Sequence, residues 1–182
     1  MRRYLGMMML MLLAACAGQP PAGQSGSRAV AAAQASPDPT APPLSPRESC
    51  PVTRPSEPPF VPPAPYPAQA PGAGNFWYGG AGLWTRLPDD GAWTVPAGMG
   101  EKVFWWREGF SMVDENRPAL AMTGRRLDGP ADPAEASPAT SGAHADFGEF
   151  MLLGLSIPAG GCWELTGAYR QQTLTFVVWV DQ

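Results

Sequence analysis

The sequence predicts an all-β fold, a β-sandwich, for residues 49–182, and three observations indicate it. Short segments alternate apolar and polar side chains, as residues 173–180 do with Leu174, Phe176, Val178 and Val180 on one face. Turn-forming residues such as Pro88-Asp89-Asp90-Gly91 separate these segments. No window has the apolar periodicity of an amphipathic helix.

The first element along the chain is a secretion signal over residues 1–15. Arg2 and Arg3 precede the uncharged stretch 5–15, which is shorter than the about 20 residues that a membrane-spanning helix needs. The stretch ends in Leu13-Ala14-Ala15-Cys16, which resembles the lipobox of bacterial lipoproteins. An ordinary signal peptide with a chance cysteine is one alternative, and a twin-arginine signal at Arg2-Arg3 is another.

The lipobox resemblance implies that Cys16 is the lipidation site. It implies a diacylglyceryl thioether on the thiol, cleavage before Cys16 and acylation of the new amine, with palmitate-type chains. Two or three acyl chains anchor a protein stably where a single chain does not. Because Ala17 rather than aspartate follows the cysteine, the resemblance implies sorting to the outer membrane in a cell with two membranes. In a cell with one membrane, it implies the outer face of the plasma membrane.

The second element, residues 16–48, is expected to be a disordered or partly polyproline-II linker. Alanine, proline, glycine, glutamine and serine dominate it, and such a composition cannot bury enough apolar surface to offset the entropy of ordering. As a flexible coil the linker would span roughly 30 Å, and fully extended roughly 100 Å. It would therefore hold the domain away from the membrane.

Charge excludes a nucleic-acid partner. The chain has 12 basic and 16 acidic residues, and loss of Arg2 and Arg3 with the signal leaves 10 − 16 = −6. Nucleic-acid binding depends on basic patches that neutralise phosphates, and Lys102 is the only lysine. The same acidic charge disfavours electrostatic binding to anionic lipids, so the protein is expected to attach to the membrane through its N-terminal lipid.

The three cysteines suggest one disulfide. Once Cys16 is modified, Cys50 and Cys162 remain in an oxidising compartment, where such pairs generally close. The alternative is a reactive thiol, which needs an activating base, and His144 is the only histidine. A bridge would tie Cys50 to the last hairpin and set the start of the domain near residue 49.

Within the domain, about seven segments have strand character, and they suggest an immunoglobulin-like β-sandwich. They are 82–87, 92–95, 102–107, 119–127, 151–157, 162–166 and 173–180. In segment 102–107, Phe104 and Trp106 share one face while Val103 and Trp105 share the other, so this strand is expected to be central. Residues 169–172 are the expected turn of a C-terminal β-hairpin. The spacing from Cys50 to Cys162 exceeds the usual immunoglobulin spacing and leaves the topology open.

Several motifs together resemble an uncharacterised family of secreted bacterial proteins and lipoproteins. They are Cys50-Pro51-Val52-Thr53, Phe104-Trp105-Trp106-Arg107, Thr123-Gly124-Arg125-Arg126-Leu127-Asp128-Gly129, and Gly161-Cys162-Trp163-Glu164-Leu165-Thr166-Gly167 followed by Leu174-Thr175-Phe176-Val177-Val178. The resemblance covers residues 49–182. It implies that the domain is a recurring unit whose pattern includes both cysteines, and it implies no activity or cofactor.

Aromatic residues are the richest candidate for a ligand site. Nine of them fall between Phe76 and Phe110, and aromatic rings either fill a core or present faces to sugars or peptides. Since Trp105 and Trp106 point to opposite faces of one strand, they cannot share one platform. The candidate ligand-binding residues are Trp77, Trp84, Trp105, Trp106, Arg125 and Arg126, the two arginines as a clamp for an anion.

Catalytic and metal sites are not expected. His144, Asp146 and Glu149 have a spacing that arises readily by chance, and structural zinc usually takes four ligands. Asp128, Asp132 and Glu135 are expected in a solvated loop rather than as a glycosidase pair. Three serines, 111, 137 and 141, lack a nucleophile elbow.

These observations predict a membrane-anchored lipoprotein of the cell envelope, non-catalytic, whose domain binds a partner or supports the envelope. The first alternative is a module that binds carbohydrate or peptidoglycan, and another envelope protein is the other partner considered. The second alternative is a small envelope hydrolase that uses the His144 loop. No cofactor is expected.

Overall fold

The structure is a computed structural model that describes residues 45–96 and 100–182. These residues form ten β-strands, and the described part of the chain contains no helix. The strands are β1 (Asn75–Gly80), β2 (Leu83–Pro88), β3 (Ala92–Thr94), β4 (Glu101–Trp106), β5 (Leu120–Arg126), β6 (Glu135–Ala136), β7 (Thr140–His144), β8 (Gly148–Ser156), β9 (Gly161–Tyr169) and β10 (Gln172–Asp181). All seven predicted segments are strands, whereas β1, β6 and β7 are additional.

The strands form two sheets. Sheet A has the order β1-β2-β4-β8-β6, and β7 also pairs with β8. Sheet B has the order β3-β10-β9-β5, antiparallel except where β3 runs parallel to β10. The predicted C-terminal hairpin is confirmed, since β9 and β10 pair from Tyr169↔Gln172 along their length. The all-β architecture in two sheets is confirmed, and the immunoglobulin-like topology stays a prediction.

The main core lies between the sheets and follows the predicted alternation. On β10, Phe176, Val178 and Val180 are buried, and on β9, Trp163 and Leu165 are buried. Facing residues from sheet A complete this core, namely Leu83, Leu87, Val103, Trp105, Met151, Leu153 and Leu155. Because β4 lies between β2 and β8, its expected central position is also confirmed.

A second core covers the outer face of sheet A. Four buried residues form this outer aromatic cluster, namely Trp77, Trp84, Trp106 and Phe150. The proline-rich segment 51–74 packs over it with Phe60, Tyr66 and Ala70. Tyr66 meets Trp84 edge to face at 5.1 Å between ring centroids. Segment 51–74 is thus part of the folded domain although it has no regular secondary structure.

A disulfide joins Cys50 to Cys162, as predicted, with 5.6 Å between the Cα atoms and 112 residues between them in sequence. Next to it, the Thr53 N–H donates to the Val177 carbonyl at 2.9 Å, and the Val177 N–H donates to Thr53 Oγ1 at 2.8 Å. The start of the domain is therefore fixed to strands β9 and β10.

The secretion signal, Cys16 and most of the predicted linker lie outside the described residues. The described end of the linker, from Ser45, forms a turn in which the Ser49 N–H donates to the Ser45 carbonyl. Arg47 in this turn forms an ion pair with Asp181 at 3.1 Å. No helix in the described part of the chain is long and apolar enough to cross a membrane.

Candidate ligand-binding site

The four candidate tryptophans are core residues. Trp77 is 4% exposed, and Trp84, Trp105 and Trp106 are fully buried. The Nε1–H groups of Trp77 and Trp106 donate to the carbonyls of Pro67 and Phe147. None of these rings presents a face to solvent, so the interpretation of the cluster as core agrees with the structure and the exposed platform does not.

The two candidate arginines do not form one clamp. They are neighbours on β5, so their side chains leave the strand on opposite faces. Arg125 Nε lies 2.7 Å from Glu164 Oε1, whereas Arg126 Nε lies 2.7 Å from Asp128 Oδ1. Each guanidinium is paired with its own carboxylate. The two arginines therefore form local salt bridges at the end of the strand rather than a clamp for an anion.

The residues considered for metal binding do not converge. The His144 ring stacks on Phe147 with 4.1 Å between centroids, and its Nδ1 accepts from the Asp146 N–H. Glu149 Oε2 instead accepts from the Met112 N–H at 2.8 Å. Among the described residues, no group of three or more histidine, cysteine or acidic side chains could hold a metal ion.

The three serines also have local roles. Ser111 Oγ accepts from the Asp114 N–H, and Ser137 Oγ accepts from the Gly154 N–H. Ser141 Oγ donates to the Asn116 carbonyl at 3.1 Å. Within residues 45–96 and 100–182, no hydrogen bond joins any of these hydroxyls to His144, so they form no nucleophile–base pair there.

A cavity opens instead where β2 separates from β4. The two strands pair only at Trp84↔Trp106 and Thr85↔Trp105. The buried Thr85 then donates from Oγ1 to the Phe104 carbonyl at 2.7 Å, a side-chain bond at the point where the strands diverge. Beyond Thr85 lies a cavity of about 220 Å³, which we call the β2/β4 cavity.

Three strands supply the lining of this cavity, together with the start of β1. Its lining residues are Asn75, Arg86, Pro88, Ala92, Trp93, Thr94, Glu101, Lys102, Val103 and Phe104. Trp93 reaches it from β3 and is held edge to face against Phe176, with 5.8 Å between centroids. Polar and charged groups therefore surround the cavity together with two aromatic rings.

Arg86 is held in place at the cavity by two contacts. Its Cζ lies 5.1 Å from the centroid of the Phe104 ring, a cation–π geometry. Its Nη1 donates to the Pro71 carbonyl at 3.0 Å. The guanidinium has five N–H donors, and the hydrogen bond to Pro71 is the one that it donates among the described residues.

Glu101 is a half-buried carboxylate in the same lining. Burial raises its pKa because it penalises the charged form, and the nearby Arg86 charge opposes this shift. Arg86 and Lys102 together give the lining two positive charges against one negative charge. A perturbed carboxylate in a cavity with fixed donors is typical of ligand sites.

The backbone of β4 adds further polar groups. The Phe104 carbonyl points toward β2, because it accepts the hydrogen bond of Thr85. In an antiparallel ladder, residues two apart direct their N–H and C=O groups to the same side. Lys102 therefore directs its backbone groups toward the cavity, at a position where β2 no longer pairs with β4.

A second polar cluster fastens the loop between β4 and β5. The Tyr169 hydroxyl donates to Glu115 Oε2 at 2.5 Å, and Arg170 lies 2.9 Å from the same oxygen. Burial alone would raise the Glu115 pKa, but hydrogen bonds from Tyr169, the Ala119 N–H and Arg170 outweigh it, and the pKa is lowered. This cluster is internally paired, which is typical of a structural role.

The sequence patterns do not indicate the β2/β4 cavity, because it depends on how two strands diverge. Two features of the sequence fall in its lining, although neither defines a cavity by itself. Lys102 is the only lysine in the chain, and Arg86 is the one charged residue of β2.

Comparison of the chain with protein-family models, with curated proteins and with solved structures finds no match.

Proposed function

We propose that the chain is a lipid-anchored protein of the cell envelope whose β-sandwich domain is non-catalytic and serves binding or envelope support. The lipobox-like Leu13-Ala14-Ala15-Cys16 places a cysteine directly after small residues at the end of an apolar stretch. The lipid holds the protein at the membrane, and the linker lets the domain reach a partner at a distance.

The observation that carries this proposal is the pairing of the cysteines. The chain has three cysteines, and Cys50 is bonded to Cys162. Cys16 is thus the cysteine left over from the intrachain disulfide, at the position where a lipobox requires a thiol. A disulfide also fits an oxidising compartment outside the cytoplasm, where lipoproteins are exported.

Binding of carbohydrate is the second candidate function, and the β2/β4 cavity favours it. Two aromatic rings, two cations and one carboxylate line a space of about 220 Å³. A small hydrolase has less support, because His144 meets a backbone N–H and the Phe147 ring rather than a serine or a pair of carboxylates.

Replacement of the lipobox cysteine tests the anchor. We expect Cys16→Ser to abolish incorporation of a palmitate analogue in cells and to leave an uncleaved or mislocalised precursor. The double variant Cys50→Ala/Cys162→Ala is the matched control, since it removes two other thiols and should keep lipid labelling. Normal lipid labelling and membrane fractionation of Cys16→Ser would contradict the proposal.

A further inference from the structure

We propose that the β2/β4 cavity binds a carboxylate-bearing sugar unit of an envelope polysaccharide. This inference rests on the binding function proposed above and names its ligand class and its residues. The recognising groups lie on the two sides of the opening between β2 and β4. Arg86, Lys102 and the Phe104 ring share the outer face of sheet A and would meet the carboxylate and the near side of the sugar, whereas Glu101 and Trp93 lie on the inner side and would meet the hydroxyls and ring at the far end.

The volume of the cavity sets the size of the ligand. The cavity volume of about 220 Å³ is smaller than the roughly 300–1,000 Å³ of sites that bind drug-sized ligands. A single pyranose unit is of that size, so the rest of a polysaccharide would extend from the open mouth.

The charges of the lining select a carboxylate. Arg86 and Lys102 stand against Glu101 in a chain whose formal net charge is −4, so the cavity is locally positive on an acidic protein. Arg86 is preorganised by its stacking on Phe104 and its bond to Pro71, and a guanidinium binds carboxylates through parallel hydrogen bonds. With a neutral sugar, Glu101 would be the one negative charge of the lining against the two cations.

The remaining polar groups select hydroxyls rather than a simple anion. Glu101 accepts hydrogen bonds and would repel a small anion such as phosphate, whereas sugar hydroxyls donate to a carboxylate. The backbone N–H and C=O of Lys102 offer a further donor and acceptor at the same edge. Trp93 and Phe104 are both half-buried and lie on opposite sides of the opening, so each leaves part of its surface for the C–H groups of one side of a sugar.

Titration of the full-length chain in detergent micelles tests the assignment. The probes are glucuronate and N-acetylmuramate, and their neutral counterparts are glucose and N-acetylglucosamine. We expect at least one carboxylated sugar to bind about tenfold or more tightly than its neutral counterpart, since a charge-assisted hydrogen bond contributes at least that factor. Preference for glucuronate indicates an acidic polysaccharide as the source, and preference for N-acetylmuramate indicates peptidoglycan.

Two variants assign the binding to the cavity. Lys102→Gln and Arg86→Gln should each weaken binding of the preferred sugar about tenfold. Arg125→Gln, which removes an exposed arginine on sheet B, is the matched control and should leave the affinity unchanged. Lys102→Gln replaces an exposed side chain, so its effect does not depend on whether Arg86→Gln folds.

The single lysine gives an independent readout. Saturating sugar should slow the reaction of Lys102 with an amine-specific reagent, followed by mass spectrometry of the peptide that carries it. Equal affinity for carboxylated and neutral sugars, unchanged affinity in Lys102→Gln, or stronger binding of glycine than of either sugar acid would overturn the assignment. None of these measurements involves processing at Cys16, so their failure is distinct from failure of the lipid anchor.

Discussion

Gly167 and Trp105 show how tightly the two sheets fit. A Cβ atom at position 167 would lie 2.2 Å from Trp105 Cη2, closer than any van der Waals contact. The indole is fully buried between the sheets, so it cannot move aside without displacing its neighbours. The missing side chain of Gly167 therefore provides the space that the indole fills.

Gly167→Ala should therefore destabilise the domain. Overpacking of a close-packed core costs typically about 1–3 kcal/mol, and the close approach in this case should place the variant in or above that range. Chemical denaturation measures the change. Gly80→Ala is the control, because a Cβ there meets nothing within 4 Å. An equal and small effect of both substitutions would show that Trp105 is not tightly packed.

Glu101 gives a prediction about pH. Its folded pKa is raised above the ordinary value of 4.5 by burial, against the opposing charge of Arg86. The charged form is therefore disfavoured in the folded state, and its cost is present above the folded pKa and relieved as pH falls toward 4.5. Glu101→Gln, neutral at every pH, should raise the melting temperature at about pH 7 and change it little at about pH 4.

The exposed Glu57 provides the comparison for this measurement. Glu57→Gln should leave the melting temperature close to that of the wild type at both pH values, because a surface substitution of this kind usually has a small effect. If Glu101→Gln lowered the melting temperature at neutral pH, the Glu101 carboxylate would be favourably paired in solution rather than held in a partly desolvated cavity.

Strand β4 is the element on which both cores depend. Its Trp105 lies in the core between the sheets, whereas Trp106 lies in the outer aromatic cluster. Trp106 contacts Trp77 edge to face at 4.8 Å and stacks near Phe104 at 6.2 Å. The dipeptide Trp105-Trp106 thus contributes to the core between the sheets and to the cluster on which segment 51–74 packs.

Trp105→Ala and Trp106→Ala should each cost roughly 3–5 kcal/mol, because each leaves a large cavity. The two variants should differ in where they loosen the domain. Trp106→Ala should increase hydrogen exchange and protease cleavage within segment 51–74, whereas Trp105→Ala should loosen β9 and β10. The control is Val113→Ala, since Val113 is 86% exposed. Retention of wild-type stability by either tryptophan variant would contradict its role as core.

The strands that alternation predicts are those with one buried face. Residues 173–180 are an example, because every second side chain enters the core. Strand β7 has no such signal in Thr-Ser-Gly-Ala-His, and it forms because the edge of β8 provides backbone partners. Segment 51–74 resembles the linker in its proline content, and only its tertiary contacts with sheet A distinguish it.

The candidate site is less predictable than the fold, for a physical reason. Aromatic residues crowd into the sequence between Phe76 and Phe110, but those with the strongest periodic signal are buried. The β2/β4 cavity forms where ladder pairing stops after Thr85. Such a divergence is set by the packing of both sheets and has no local signature. Its charged residues, Arg86 and Glu101, occupy ordinary strand positions.

At the scale of the whole molecule, the disulfide and an ion pair tie residues 45–50 to sheet B. Cys50 is bonded to Cys162 on β9, and Arg47 pairs with Asp181 at the end of β10. Residues 45–50 are thus fastened to sheet B, while segment 51–74 packs on sheet A. The chain is acidic as a whole, which leaves attachment to anionic membranes to the proposed lipid.

The central claim is that Cys16 carries the membrane anchor, and intact analysis of the N-terminus tests it most directly. The protein is extracted from the membranes of its own host in detergent, digested, and its N-terminal peptide is identified by mass spectrometry. We expect a peptide that begins at Cys16 and carries a diacylglyceryl group, with or without a further acyl chain on the amine. A mature protein that begins elsewhere, or whose Cys16 is unmodified, would contradict the claim.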